Sequence, residues 1–245
     1  MAEAYRLRYR REFLAFSNCV DLAARPVVHT DKRAPGVFRF GFTGGMLFGR
    51  ADTFADVLEA LEGLRIEGVN VEVVIYQHDG RKPLPDRVAR SPMARLADTR
   101  EESLLETADA EIDALLHIDT FEATAGTYLR LSLSGKVPWY LAAGLPLFAY
   151  GAPTLGTIRL LREYRCAAIV DKRDREVLRN GLRGFLSDPA DRRALGVRAR
   201  IVAEEHFDAR RQREAFRLVF AEVCAGSESR SGRPRESEGC AEGHL

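Results

Sequence analysis

The chain has 245 residues, of which 37 are lysine or arginine and 36 are aspartate or glutamate, so its formal net charge is +1. This balance argues against bulk electrostatic binding of nucleic acid, while a hydrophobic content of 46% is enough for a full-sized core. The cysteines form no Cys-x-x-Cys pair, which is typical of free thiols in a reducing, cytoplasmic compartment; they are Cys19, Cys166, Cys224 and Cys240.

The N-terminal stretch 2–12 contains a nearly continuous run of arginines and is predicted to form a basic amphipathic helix. A solvated helix face explains such a pattern, and binding to a membrane surface is the alternative. This charged start does not resemble a secretion signal. The longest apolar stretch, 137–152, is broken by two prolines and two glycines, which argues against a transmembrane segment. A short strand is expected at 13–16 and a linker at 17–36.

From residue 37 onward, short apolar runs alternate with stretches of helical periodicity. The apolar runs predict five strands, over 37–43, 71–76, 112–118, 145–150 and 167–170. Helices are predicted over 51–64, 101–108, 136–143, 155–164, 173–186, 189–205 and 208–224. The segment 78–92 is predicted to be a long loop with at most a short helix, and the segment 119–133 is predicted to be a long loop. Strands that alternate with helices predict an α/β fold, a Rossmann-like parallel sheet with helices on both faces.

This pattern divides the chain into four parts. Residues 1–36 read as the remnant of a preceding domain and a linker, because a strand this early has no partner before it. Residues 37–187 form the Rossmann-like domain, and residues 188–224 form the C-terminal helices. Residues 225–245 are rich in serine, glycine, glutamate and arginine and are predicted to be a disordered tail.

Two loops carry groups that suit a phosphate. In the first, Gly44 and Gly45 follow a predicted strand, and Arg50 lies at the start of the next helix. Glycine allows a close backbone approach, and arginine binds phosphate oxygens in a bidentate manner. An ordinary tight turn is the equally weighted alternative for this loop.

The second loop contains Ser132, Ser134, Gly135 and Lys136, directly before a short predicted helix that stops at Gly144. Serine and glycine favour a helix start, and a helix N-terminus beside a lysine can bind an anion. An ordinary helix cap with a solvated lysine is the alternative. Because ligands bind beyond the carboxyl ends of strands in open parallel sheets, the two loops together favour a nucleotide diphosphate site.

Several motifs resemble the C-terminal, nucleotide-sugar-binding half of retaining GT-B glycosyltransferases of the bacterial family-four type (glycosyl transferases group one). FTGGMLFGR resembles the family's glycine loop, where Gly45 stands at a frequent arginine position and Arg50 at a lysine position. SGKVPWYLAAGLPLFAYG resembles the helix that closes the donor site. The other similar segments are SNCVD, ADAEIDALLHID, CAAIVDKRDREVLRNGLRGFLSDPADRRALGVRAR and EEHFD. The resemblance covers almost the whole chain and implies a nucleoside diphosphate sugar as donor substrate.

The chain departs from that family at two positions. The family has two glutamates here, the second of which usually touches the ribose, whereas this chain has Leu131 and Trp139. An indole cannot accept two ribose hydroxyls as a carboxylate does. The resemblance nevertheless places Trp139 and the adjacent Tyr140 at the ribose or cleft position. The alternative for Trp139 is a packing residue that fills the cleft.

Other polar residues near the donor loop have two interpretations. His117 lies near a strand end, where a core or edge histidine is the preferred interpretation. Asp119 and Glu122 follow it and face either a sugar or solvent. The histidines show no metal-ligand spacing, so the sequence predicts no metal and no cofactor.

The leading hypothesis is a glycosyltransferase that transfers a sugar with retention and is truncated to its donor-binding half. A non-catalytic nucleotide-sugar-binding domain or partner subunit is the alternative. An enzyme that uses a dinucleotide is disfavoured, because G-x-G-x-x-G is missing after the first strand.

The resemblance also implies that residues 2–16 are the end of an acceptor-binding domain. Without that domain, an apolar patch that includes Tyr5 and Phe216 is expected to be exposed near both chain ends. The patch would favour docking of a separate acceptor domain or self-association. The chain alone is then expected to bind donor without turning it over, because half a cleft neither excludes water nor positions both substrates.

Overall fold

The computed structural model describes residues 1–25, 27, 36–76, 83–97 and 112–231, with side chains through residue 224. Six β-strands lie within these residues. They are β1 (Phe38–Thr43), β2 (Val71–Tyr76), β3 (Ala94–Leu96), β4 (Ala114–Ile118), β5 (Leu147–Tyr150) and β6 (Ala168–Val170). All are parallel, in the order β3-β2-β1-β4-β5-β6. The predicted parallel Rossmann-like sheet is therefore confirmed.

The strand order reverses between β1 and β4. The chain first builds outward from β1 to β3 and then returns to the other side of β1 to add β4. The loops that follow β1 and β4 consequently leave the sheet in opposite directions. In doubly wound sheets a crevice opens at this point, beyond the carboxyl ends of the strands, and this crevice is where ligands bind.

The described residues also contain nine α-helices and one short 3-10 turn, Leu22–Ala24. The α-helices are α1 (Ala2–Tyr9), α2 (Arg50–Ile66), α3 (Asp86–Ala89), α4 (Ala123–Leu129), α5 (Val137–Ala143), α6 (Gly156–Glu163), α7 (Arg175–Ser187), α8 (Pro189–His206) and α9 (Ala209–Ser231). Of these helices, none is both long and apolar enough to cross a membrane.

Each face of the sheet carries its own hydrophobic core. Helices α2 and α7 cover one face, and α5, α6 and α8 cover the other. Alternation along the strands supplies both layers, because successive side chains of a strand point to opposite faces. On β5, Phe148 and Tyr150 join the first core, whereas Leu147 and Ala149 join the second. The predicted helices on both faces are confirmed.

A capping carboxylate and a glycine set two helix boundaries as the sequence predicts. The carboxylate of Asp188 accepts hydrogen bonds from the N–H groups of Ala190 and Asp191, so it caps α8. Gly144 ends α5 with φ 70° and ψ 10°, in the left-handed region that glycine adopts at low cost. These local signals explain why the predicted helices around them match the structure closely.

The strands differ from the prediction in two places: one predicted strand does not form, and one strand was not predicted. Residues 13–16 form no strand, and their side chains are exposed. Conversely, β3 is an edge strand of three residues, and its pattern of one half-buried and two exposed side chains leaves no apolar run for a sequence reading to detect. Its evidence lies instead in the backbone, where the N–H of Val73 donates to the carbonyl of Met93 at 2.8 Å.

Helix α4 lies inside the stretch 119–133 that was predicted to be a loop. It buries only Ala125, so it lacks the apolar stripe by which a helix is recognised in sequence. Helix α9 extends through Ser231, beyond its predicted end at residue 224 and into the predicted disordered tail. The predicted helix 101–108 and the rest of that tail, 232–245, lie outside the described residues.

The N-terminal residues pack along the last helix. The ring of Phe16 meets that of Phe216 edge-on, with 5.3 Å between centroids. The N–H of Val20 donates to the carbonyl of Phe207 at 2.8 Å and fixes the segment at the junction of α8 and α9. Around these contacts, Tyr5 remains 40% exposed and Phe216 54% exposed. Apolar side chains of α1 and α9 are therefore exposed.

Candidate functional site

The crevice between β1 and β4 collects charged side chains from three separate segments. The loop after β1 leads to Arg50 at the start of α2, and β4 runs directly into Asp119. Lys136 precedes α5 and reaches back across the crevice to the end of β1. Sheet topology thus brings together residues that lie far apart in the sequence.

The Lys136 ammonium group is held at the carboxyl end of β1. Its Nζ donates a hydrogen bond to the carbonyl of Thr43 and lies 4.8 Å from the centroid of the Phe42 ring. A cation over an aromatic face is attracted by the ring quadrupole. The bond to Thr43 therefore fixes the position of the positive charge at the end of β1.

Glycines in the loop after β1 make room for this arrangement. Gly44 has φ +115°, and a Cβ atom there would collide with the ammonium of Lys136. Gly49 has φ +74°, and a Cβ atom there would collide with the carboxylate of Glu122. Gly45 is exposed and has no neighbour within 4 Å of its Cβ position. The loop therefore uses Gly44 and Gly49 for close approach, while Gly45 remains open to a ligand.

Arg50 is bound by the buried carboxylate of Asp119. Both Nε and Nη2 of Arg50 lie 3.1 Å from Oδ1 of Asp119, and the same oxygen accepts the N–H of Thr120 at 3.0 Å. Although burial opposes it, the hydrogen bonds from Arg50 and the nearby His117 ring hold the pKa of Asp119 below its usual value. Asp119 is consequently ionised near neutral pH, and it neutralises Arg50.

His117 lies behind this pair and is fully buried. Its Nε2 is 3.7 Å from Oδ2 of Asp119, and neither ring nitrogen has a hydrogen-bond partner among the described residues. Burial lowers the pKa of His117; Asp119 opposes this effect, whereas the charges of Lys136 and Arg50 add to it. The imidazole is therefore neutral at pH 7, which fits the predicted core histidine but places it against the charged cluster.

The lowered pKa of His117 predicts a loss of stability in mild acid. Because the unfolded chain binds this proton near the usual pKa of 6.5 and the folded chain binds it only at lower pH, the unfolded state gains protons first. The free energy of unfolding should therefore fall as the pH drops below about 6.5. Urea denaturation at a series of pH values measures this slope.

The replacement His117→Gln should flatten the slope between the usual and the folded pKa of the histidine. His206→Gln, at the half-buried histidine that ends α8, is the control. At lower pH a second loss should begin below 3.8, the usual pKa of an aspartate, as Asp119 takes up a proton. An unchanged slope in the His117 variant would contradict this account.

The second predicted loop is divided between the crevice and a neighbouring cavity. Ser132, Ser134 and Gly135 line a cavity of about 410 Å³ between residues 15–18 and the start of α6. Lys136 instead faces the crevice. Ser134 and Lys136, on either side of Gly135, therefore border different spaces.

Backbone hydrogen bonds in this loop are largely satisfied within the protein. The N–H of Ser134 donates to Oγ1 of Thr157 at 2.9 Å, and the N–H of Val137 donates to the carbonyl of Ser134 at 3.0 Å. Pro138 has no N–H. The start of α5 thus offers fewer free donors to an anion than the sequence suggests, and the electrostatic contribution of this loop comes chiefly from the Lys136 side chain.

Trp139 and Tyr140 point in different directions. Tyr140 is buried, and its hydroxyl accepts a hydrogen bond from the N–H of Thr43 at 2.9 Å, so it stabilises the end of β1. Trp139 is 37% exposed, and the guanidinium of Arg25 lies 4.8 Å from its ring centroid. Of the two residues assigned to the ribose or cleft position, only Trp139 is accessible to a ligand.

The importance of His117 and Asp119 is not apparent from the sequence alone. The signal that identifies them is positional: both lie at the carboxyl end of a central strand, next to the point where strand order reverses. A sequence without a strand order does not reveal that β4 is the neighbour of β1. Glu122, mentioned only as a loop carboxylate, lies against Gly49 and so borders the same crevice.

Several solved structures are similar to this fold. Sucrose-phosphate synthase from Thermosynechococcus elongatus matches 91% of this chain and 56% of its own, with a TM-score of 0.63 and 15% identity. HepE from Anabaena, solved in complex with UDP and glucose, matches 85% and 56%, with a TM-score of 0.62 and 13% identity. WaaG, a glycosyltransferase involved in lipopolysaccharide biosynthesis, matches 82% and 55%, with a TM-score of 0.54 and 19% identity.

These neighbours are glycosyltransferases of the GT-B fold, and at such low identity the similarity establishes the fold of this chain alone. The chain spans just over half the length of each of the three. No protein-family model matches the sequence, and a search of curated proteins gives no match.

Proposed function

We propose that this chain binds the diphosphate of a nucleoside diphosphate sugar in the crevice between β1 and β4 and serves as the donor-binding part of a retaining glycosyltransferase. One observation carries the proposal: Lys136 and Arg50 both lie where strand order reverses, near enough for both charges to act on His117, in a fold shared with glycosyltransferases. The family-four motifs described above agree with this function.

The crevice offers what a diphosphate requires. Lys136 supplies a fixed positive charge, and the side chain of Arg50 is 20% exposed, so a ligand can reach both. Gly45 allows the loop backbone to approach the phosphates closely. Charge-assisted hydrogen bonds of this kind are about twice as strong as neutral ones. During transfer, the same cations would stabilise the negative charge that develops on the leaving diphosphate.

Transfer in this proposal needs a second unit to hold the acceptor. The crevice described here has one wall, which binds the donor. A facing unit would exclude water and position the acceptor hydroxyl. The exposed apolar surface around Tyr5 and Phe216 is a suitable place for a separate acceptor domain, or for a second copy of this chain, to dock.

A non-catalytic nucleotide-sugar-binding domain is the second candidate, and Trp139 favours it. The position that carries a carboxylate in similar glycosyltransferases holds an indole here, beneath the guanidinium of Arg25. An indole can stack on a ligand or donate one hydrogen bond, but it cannot accept the two ribose hydroxyls. This substitution weakens a donor contact without removing the cations that bind the diphosphate.

Titration of the chain with UDP, GDP and ADP tests the proposal. Trp139 is the only tryptophan and lies three positions from Lys136, so its fluorescence is a built-in probe of binding. At least one diphosphate should change the fluorescence in a saturable way, and the matching nucleoside should bind more weakly because it lacks the phosphates. Calorimetry serves as the second readout. Absence of binding by all three diphosphates in both assays would refute the proposal.

A further inference from the structure

His117 is the one fully buried ionisable side chain at the crevice whose ring nitrogens both lack a hydrogen-bond partner among the described residues. A buried polar atom without a partner costs free energy. Its Nε2 faces Oδ2 of Asp119 at 3.7 Å, slightly too far for a hydrogen bond. The histidine is thus held next to a carboxylate whose other oxygen is occupied by Arg50.

Three charged groups act on His117, each from a different segment. Asp119 follows the same strand and favours the protonated ring, whereas Arg50 at the start of α2 and Lys136 before α5 disfavour it. On the neighbouring strand β5, its register partner is Ala149, which carries no charge. Burial is the main cause of the lowered pKa of His117, and the two cations that add to this effect are the same two that the proposed function assigns to the diphosphate.

Binding of a diphosphate changes the charges around His117, and each change favours the protonated imidazole. The phosphates neutralise the charges of Lys136 and Arg50 and add negative charge to the crevice. If Arg50 turns from Asp119 to the phosphates, Asp119 loses its counter-ion and becomes a better partner for a protonated imidazole. Each change favours the charged form of His117.

We propose that donor binding moves Arg50 from Asp119 to the diphosphate and that His117 then takes up a proton from solvent and replaces Arg50 as the partner of Asp119. This inference rests on the proposed function. His117 acts as a positioning residue: it keeps the buried carboxylate neutralised, so that Arg50 is released to the ligand without leaving Asp119 unpaired. The proton binds at Nε2, which faces Asp119 Oδ2, and no covalent bond changes.

Calorimetry in buffers of different ionisation enthalpy tests this coupling, because the dependence of the binding heat on the buffer gives the number of protons exchanged. The ligand is the UDP-, GDP- or ADP-glucose whose nucleotide binds best in the titration above. Its diphosphate is a diester without an ionisation near neutral pH, so proton uptake reports on the protein. We expect uptake of up to about one proton per ligand at some pH between about 5 and 8.

The replacement His117→Gln should abolish the uptake while binding remains measurable. His206→Gln is the matched control, since His206 also lies beside a carboxylate, with 3.8 Å between its Nε2 and Glu205, but is far more exposed. It should behave as the unmodified chain does. Should the His117 variant fail to fold, nitrogen NMR of the unmodified chain replaces it, and one buried imidazole should change from neutral to protonated at saturation.

The outcomes separate the two proposals. If no sugar nucleotide binds, the proposed function fails. If a ligand binds but its heat does not depend on the buffer at any pH in this range, the proton coupling is wrong and the proposed function stands. Equal uptake by the unmodified chain and the His117 variant would also overturn the coupling, since the proton would then bind elsewhere.

Discussion

Replacing Lys136 by alanine should weaken binding of the preferred nucleoside diphosphate by about 1.5–3 kcal/mol, the range for a hydrogen bond to a charged group. This corresponds to a roughly ten- to 150-fold rise in the dissociation constant. The reason is geometric: Lys136 is fixed by the carbonyl of Thr43 and the ring of Phe42, so its charge is already in place when the ligand arrives. Calorimetric titration measures the change.

The matched control is Lys172→Ala, which removes an exposed lysine and leaves the net charge the same as in the Lys136 variant. The Lys172 variant should bind within about twofold of the unmodified chain, because exposed charges remote from the ligand are screened. Thermal unfolding of both variants checks that they fold. Equal affinity of a folded Lys136 variant and the unmodified chain would exclude Lys136 from the site.

The sequence predicted the central strands and the large helices because local and tertiary preferences agree there. Strand β5 is an uninterrupted apolar run, and both of its faces are buried. Helix α7 has an aspartate cap at Asp174 and buries Leu178, Leu182 and Phe185 on one face. By contrast, β3 and α4 bury almost nothing, so no pattern marked them. What holds them is backbone pairing and neighbouring structure, which a sequence does not display.

The candidate site could be predicted only in part, for a related reason. Lys136 and Arg50 were predicted because each lies at a loop that local signals mark. Their actual partners, Thr43 and Asp119, lie 93 and 69 positions away. The requirement for glycine at position 44 likewise comes from the lysine side chain that crosses it and not from the turn alone. Such pairings depend on strand order, which periodicity does not determine.

The largest loss of stability is expected for Phe148→Ala. Phe148 is fully buried on β5, with ring centroids 6.4 Å from Phe40 and 5.5 Å from Phe185, so it links two strands of the sheet to helix α7. Removing a buried phenylalanine costs about 3–5 kcal/mol, because the contacts are lost and a cavity remains. At about 2–4 °C per kcal/mol for a chain of this size, the melting temperature should fall by roughly 6–20 °C.

Phe220→Ala is the control for this prediction, since it deletes the same ring from α9, where Phe220 is 61% exposed. Its cost should stay within about 0.5 kcal/mol. Phe148 belongs to the core layer that α2 and α7 cover, so diphosphate affinity measured well below the melting transition should be unchanged. A loss of affinity without a loss of stability would show that β5 shapes the crevice directly. Equal melting temperatures of the two variants would contradict the assigned core.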